Sequence, residues 1–562
     1  MLKREYIDLR VQYLTQGQVI SVGIQELATF WRISNKQVQR RLQLYATEKM
    51  LIYKPGHGRG HLSRLTFLHD FREEITMTMA EAIRHSDHAT ILYLFQLAVP
   101  SSWLADYRQT FTNFLGVQTT QANKRILRQI MTRPITTLDP VAVSIYHEYR
   151  LVLQLGDTLL NYDKILKPGL AHHWQSDDAK TVWTFYLRKG VQFHNGKLMT
   201  AVDVKNTFER VRQQLGEAYW QLVNLKNITV IASDVIQFEF KEPEPLFPRF
   251  ITDAKYVIID YDVPFDTVKW VGTGAFQISE QTATTLKLKA FDHYFGLRAM
   301  IDEVEYLITD NTNIAEQLFN PEDYGYFNYI KKNRVVPGAE FIIANLKRKS
   351  VIQNQLVRAA LYDVIDMRFF DQKTGTIASH YDKSDTVVDT EKSLQRAKKR
   401  LKQANYANEP IVLATLAHIK SAQDMADWIQ KRAQQIGINL QVITFNFHQD
   451  YYTDFLEKEA DLVMLADIPM NPDAFSYLEF ITNPTLLIQK MLLDVQRATL
   501  QEMVMAFKQA RSEDERHDIY LQIDNWLVDQ NILIYTIHAV REVYIHQFLA
   551  NDAYEFDYKN VW

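Results

Sequence analysis

Residues 34–68 read SNKQVQRRLQLYATEKMLIYKPGHGRGHLSRLTFL. Ser34 is a helix-capping residue, and Gln37 three positions later completes the pattern of a capping box. The helix that starts there carries Val38, Leu42, Leu44 and Tyr45 toward a core. Asn35, Lys36, Gln39 and Arg40 fall on or near its opposite face, mostly in the N-terminal half. Residues 50–54 then read as a strand and LTFL as a second, joined by a glycine-rich tip bearing His57, Arg59, His61 and Arg64. Working outward, Leu2, Tyr6, Leu9, Tyr13 and Leu14 recur at helical spacing, and VGIQELATFW turns Ile24, Leu27 and Ala28 inward. Three helices, the third capped and basic, followed by a basic hairpin predict a winged helix-turn-helix over residues 1–70. Arg and Lys pair with guanine edges and Asn or Gln with adenine, and a recognition helix offers its N-terminal residues to the major groove. Asn35, Lys36, Gln39 and Arg40 are therefore expected at the base edges of double-stranded DNA, with Arg59 and Arg64 on phosphates. The GHGRG run is followed by a strand and not by a helix, which argues against a nucleotide-phosphate loop.

Charge supports this division. Four Lys and seven Arg against four acids put residues 1–69 at +7, so within a total of −4 the rest of the chain carries −11. A polyanion partner is expected for the first segment alone. There are no cysteines, which excludes disulfides and thiolate metal sites and suits a reducing compartment. The opening MLKREYIDLR is too charged for a secretory signal. The most membrane-like run, residues 89–99, is interrupted by Gln96 and closed by Pro100, well short of the roughly 20 apolar residues of a span. The expectation is a cytoplasmic protein that does not enter a membrane.

Residues 71–115 lack glycine and keep helical spacing, predicting two helices broken at Pro100, where the proline pushes Val99 out of the helical region. Within them His85 and His88 stand three apart with no cysteine nearby, a pair expected on the surface rather than on a metal. The polar run 116–124 reads as a hinge, so the connector is placed at 71–124 and a further domain at 125–562.

From Ile126 the pattern turns to short β-rich runs alternating with helices, an α/β domain. Residues 181–211, TVWTFYLRKGVQFHNGKLMTAVDVKNTFERV, combine a strand, turns at Lys189-Gly190 and Asn195-Gly196, and a helix capped at Thr200. This block, together with TLDP (137–140), LAHHW (170–174), VGTGAF (271–276) and VRAALYDVIDM (357–367), resembles the family 5 extracellular solute-binding proteins from about residue 126 to the end. With IQELATFW, the 55–68 wing, AFDHYFGLRAMIDEV (290–304) and the closing FDYKNVW added, the whole chain resembles SgrR-type transcriptional regulators. The resemblance implies a two-lobed, periplasmic-binding-protein-like (type II) domain closing around a small solute: a sugar, a sugar phosphate or a peptide-like compound. In peptide-binding relatives an acid in an Ala-Asp loop holds the ligand's amino group; here LADIPMNPDAF (465–475) puts Asp467 in that place, with Met470 and Asn471 altering the spacing before Pro472. Asp467 is either a ligand contact or a cap for the helix that begins near Asp473. Tyr146, Trp270 and Phe276 lie on segments that border the cleft in relatives, and His194 belongs to a hairpin that the family uses structurally.

No G-x-S-x-G, P-loop, H-E-x-x-H or dinucleotide motif occurs, so neither catalytic residues nor a cofactor are expected. The reading is a ligand-responsive regulator binding double-stranded DNA, with a homodimer left open. The alternatives are an ABC-transporter-associated solute-binding protein and a cytoplasmic scavenger or hydrolase.

Overall fold

The computed structural model describes residues 2–546 except 57–60, 101, 104–110, 112–113, 132–133, 144, 164, 218, 267–269, 310–328, 372–374, 386–391, 468, 470–472 and 485. The chain divides into two compact units. Unit 1 comprises residues 1–133, 282–286 and 305–325; unit 2 comprises 134–281, 287–304 and 326–562.

Unit 1 opens with helix α1 (Arg4–Gln12), strand β1 (Ile20–Val22), α2 (Ile24–Trp31), α3 (Asn35–Thr47) and strands β2 (Leu51–Lys54) and β3 (Ser63–Phe67). The strands form an antiparallel sheet in the order β1-β3-β2. The expected capping box starts α3: Gln37 N–H donates to Ser34 Oγ at 3.3 Å, and Ser34 N–H to Gln37 Oε1 at 2.9 Å. Val38, Leu42 and Tyr45 then pack against Tyr6, Leu9, Leu27, Leu65 and Phe67. Leu44, expected in the core, is exposed. It lies between Leu42 and Tyr45 in sequence, and the helical turn carries it past the edge of the buried stripe.

Helix α4 (Phe71–Arg84) is fastened directly to α1. The fully buried Arg10 guanidinium lies over Phe67 and Phe71, bonds to the carbonyls of Thr15 and His69, and pairs with Glu74 at 3.5 Å. The first connector helix ends earlier than the proline rule suggests: Ser86 takes a left-handed φ of 51°, and Asp87 caps α5 (His88–Phe95) through the Thr90 N–H. The pair read as surface histidines is split: His85 is exposed, but His88 is buried. Its Nδ1 lies 3.0 Å from Thr285 Oγ1 and its Nε2 3.8 Å from Glu305, which also accepts from Arg128 at 2.5 Å. The run 116–124, read as a hinge, is a strand and turn: β4 (Gly116–Thr119) pairs antiparallel with β5 (Arg125–Met131). Its polarity is that of a hairpin turn, with Asn123 at φ 58°.

Unit 2 has two lobes. The first holds a four-stranded antiparallel sheet in the order Leu225–Ala232, Val235–Phe240, Val182–Leu187, Ala171–Ser176, with helix Ala201–Leu215 against it. The block 181–211 folds as read. Gly190 and Gly196 occupy left-handed turn positions, and Thr200 N–H donates to Asp203 Oδ2 at 2.8 Å to start the helix. Lys197 anchors the hairpin by pairing with Asp203, Asp260 and Asp262. His194 is held between Gly274 O and Gly272 N. The second lobe is a five-stranded sheet in the order Leu440–Phe445, Ile411–Leu416, Leu462–Ala466, Glu340–Ala344, Leu533–Tyr535. The first three strands are parallel and the last two pair antiparallel. Open α/β sheets place ligands beyond the carboxyl ends of their parallel strands. Asp467 follows the carboxyl end of Leu462–Ala466.

Candidate functional site

The face of α3 opposite its core is mainly polar, with Leu44 as its exposed apolar residue. Asn35, Lys36, Gln39 and Arg40 are all exposed, as is Gln43, one turn beyond Gln39. Asn35 Nδ2 donates to Gln25 Oε1 at 3.0 Å, so α2 orients the first residue of the face. Gln43 and Gln25 escaped the sequence reading; the i+4 spacing from Gln39 was the available signal for Gln43, whereas Gln25 becomes visible only when α2 and α3 pack. Arg41 is engaged elsewhere, stacked over Trp31 and paired with Glu5 at 3.4 Å. Arg64 is exposed on β3, opposite Lys54 on β2 and Ser21 on β1. Arg59 and His57 lie outside the described residues.

In unit 2, Asp467 leaves its strand with its N–H on Ala339 O at 3.2 Å, and its carboxylate accepts a hydrogen bond from Tyr381. Tyr381 is buried against Tyr477 and Phe480. Burial first, and then the Asp467 charge, raise the Tyr381 hydroxyl well above its ordinary pKa, so it stays a proton donor at neutral pH. Gly338 takes φ +79°, and a Cβ there would stand 2.3 Å from Asp467 O, so only glycine allows this approach. Asp473 itself caps helix Ala474–Thr482 through Ser476 N–H at 3.0 Å. It also pairs at 2.6 Å with Arg249, whose guanidinium lies over the Tyr162 and Phe475 rings. Met470, Asn471 and Pro472 lie outside the described residues.

Tyr146 is half-buried at the start of helix Tyr146–Leu155. Trp270 and Phe276 flank the turn 272–274, and Phe276 is fully buried. The Trp270 ring fills the space that a Cβ on Gly156 or Gly272 would need. Its indole N–H is buried with no hydrogen-bond acceptor among the described residues.

Sequence reading did not anticipate the charges that join the two lobes. Lys255, almost fully buried, reaches Asp253 at 2.7 Å and Glu479 at 3.0 Å, and Glu479 also accepts from Tyr219 and Gln221. Lys508 pairs with Glu244 at 2.5 Å and donates to Trp220 O at 2.8 Å. The partners that meet across the lobes stand more than 200 residues apart, beyond the reach of any periodicity.

Residues 166–485 match the model of bacterial extracellular solute-binding proteins, family 5 (middle region), more than half of the chain. The chain belongs to that family. Residues 1–121 match the model of the sugar transport-related sRNA regulator N-terminal region. This favours the regulator reading over the transport-associated one. The uncharacterized protein YhjP of Bacillus subtilis is 27% identical over 446 residues, covering 75% of each chain. The HTH-type transcriptional regulator SgrR of Pectobacterium atrosepticum is 29% identical over 309 residues, 54% of this chain and 53% of its own length. The chain thus spans about half the length of that regulator. Among solved structures, the oligopeptide-binding protein AppA of Bacillus subtilis, holding a nonapeptide, superposes with a TM-score of 0.67 at 17% identity, covering 77% of this chain and 97% of AppA. That likeness is one of fold, the type II two-lobed architecture expected. Among the described residues no helix is long and apolar enough to cross a membrane.

Proposed function

We propose that this protein is a cytoplasmic transcriptional regulator in which the solute-binding domain senses a small molecule and changes the affinity of the winged helix for its operator. The observation that carries the reading is the capped α3, with its continuous face of Asn35, Lys36, Gln39, Arg40 and Gln43, in one chain with a family 5 domain. Base edges are read by the α3 face, and Arg59 and Arg64 hold phosphates. The solute is held by Asp467 and Tyr146, with Trp270 and Phe276 as the wall behind. The unpaired Trp270 N–H supports this assignment, because a buried donor without an acceptor costs about 1–3 kcal/mol and an oxygen-bearing solute relieves it. The solute is bound and not transformed.

The test is selection of sheared genomic DNA by the purified full-length protein, with sequencing of the retained fragments, before and after adding the small molecules that copurify with it. Enrichment of discrete sites by the native chain, lost in Arg40→Ala and altered by the solute, supports the reading. Coupling of this kind is typically 5–150-fold and acts reciprocally, so the enriched DNA must change solute affinity by the same factor. Equal retention of all fragments by the native chain and Arg40→Ala would refute it.

A further inference from the structure

On the second lobe, helix Leu394–Gln403 carries a charge pattern that the sensor role does not use. Residues 392–408 contain six Lys or Arg and no Asp or Glu, within a body whose net charge is negative. The structure sorts these cations into two groups. Arg396 and Arg400 turn inward, where both bind the buried carboxylate of Asp363, at 2.5 and 2.6 Å, and Arg400 also donates to Ala359 O. With Ala397 and Leu401 buried beside them, they fasten the helix to Gln355–Val364. Lys398, Lys399 and Lys402 point the other way. All three are exposed, and none of their ammonium groups makes an ion pair or hydrogen bond to a described residue. Exposed Lys167, Lys226, Lys420 and Lys458 each have a carboxylate beside them, whereas exposed Lys241, Lys289 and Lys431 stand singly along the sequence without one among the described residues.

Positions 398, 399 and 402 are helical neighbours at i,i+3 and i,i+4, where like charges repel and weaken the helix. The helix dipole accounts for a cation in the last turn, which Lys402 satisfies, but not for Lys398 and Lys399 in the middle. Three uncompensated ammonium groups within about 6 Å of rise on a firmly anchored helix make a compact polyanion contact. We propose that Lys398, Lys399 and Lys402 form a second DNA-contacting surface, outside the winged helix, that engages backbone phosphates without reading sequence. The inference rests on the DNA-binding function proposed above. The partner is the phosphate backbone of duplex DNA, which matches unpaired lysines as point charges.

The test uses the full-length protein, a long duplex of random sequence and fluorescence anisotropy between roughly 50 and 200 mM salt. Each phosphate contact contributes about 0.9 to the slope of log affinity against log salt. The triple variant K398Q/K399Q/K402Q is expected to lower that slope by about 2 to 3. The variant K226Q/K420Q/K458Q, which removes the same charge from paired lysines, is expected to leave it unchanged. Circular dichroism melting of both variants verifies that the helix and its domain remain folded. An unchanged slope in the folded first variant overturns the proposal, as does an equal fall in both variants, which would reflect net charge alone. Binding of the native chain to phosphatidylglycerol vesicles that is lost in the first variant, with the DNA slope intact, also overturns it and assigns the lysines to an anionic surface. Failure of the native chain to bind any duplex would sink the DNA-binding function itself, a distinct outcome.

Discussion

Lys508→Met should be among the most damaging single changes in the solute-binding domain, and its cost should depend on pH. Lys508 and Glu244 are both buried, on different lobes, and the ammonium group is also the donor to Trp220 O. Methionine keeps the unbranched stem but removes the charge and both contacts. Breaking a buried pair by deleting one partner typically costs about 3–5 kcal/mol, because the surviving ion is left in low dielectric. Burial already raises the Glu244 pKa above its ordinary value, and Lys508 is the largest influence pulling it down. Without Lys508 it must rise further.

The sign follows from proton linkage. With its folded pKa above the unfolded one, Glu244 binds more protons in the native state, so its contribution weakens stability as pH rises from the ordinary carboxylate range through the raised value. The loss in Lys508→Met should therefore be greatest at neutral pH and shrink toward pH ~5 as Glu244 becomes protonated. Adding Glu244→Gln removes the stranded charge and should recover all but the ~1–3 kcal/mol of the unsatisfied Trp220 carbonyl. Urea unfolding followed by tryptophan fluorescence at two pH values measures all four members of this cycle. If the double variant is no more stable than Lys508→Met, and the loss is the same at both pH values, the two charges do not compensate each other in a buried interface.

Three further outcomes are expected. Arg40→Ala should weaken operator binding by ~1–3 kcal/mol while sparing random DNA, measured by competition anisotropy; equal losses would move Arg40 to the backbone. Asp467→Ala should abolish retention of the copurifying solute and, by leaving the buried Tyr381 hydroxyl without its acceptor, cost about 1–3 kcal/mol in scanning calorimetry, whereas Asp473→Ala should lower stability by about 0.5–2 kcal/mol through loss of the cap and keep the solute; solute retained by the first variant or lost by the second would refute the assignment. Ser34→Ala should cost ~1 kcal/mol of winged-helix stability in the same experiment, and no change would mean that the capping box contributes nothing.

The parts of the fold that were legible in the sequence were those written in local chemistry. The Ser34–Gln37 box, the Val38/Leu42/Tyr45 stripe, the two wing strands and the 181–211 block each depend on neighbours within a few residues, and each stands where the pattern put it. The misread parts include a hairpin whose composition resembles a linker and a residue whose partners are distant in sequence. The turn before β5 looks like a hinge until β4 and β5, its immediate neighbours, pair. His88 looks like a surface residue until Thr285 and Glu305, about two hundred residues away, close over it.

That same distance gives these contacts their functional weight. α1 is fixed to α4 by the buried Arg10, and to α5 by Tyr93, whose hydroxyl donates to Asp8 at 2.6 Å. One turn earlier on α5, His88 meets Thr285 and Glu305, residues contributed by the solute-binding part of the sequence. The two ends of this path are thus five residues apart on one short helix, every step of it lying inside unit 1. A rigid element that both sites bias is the physical requirement for coupling, and for the regulation proposed above α5 is the candidate for that element.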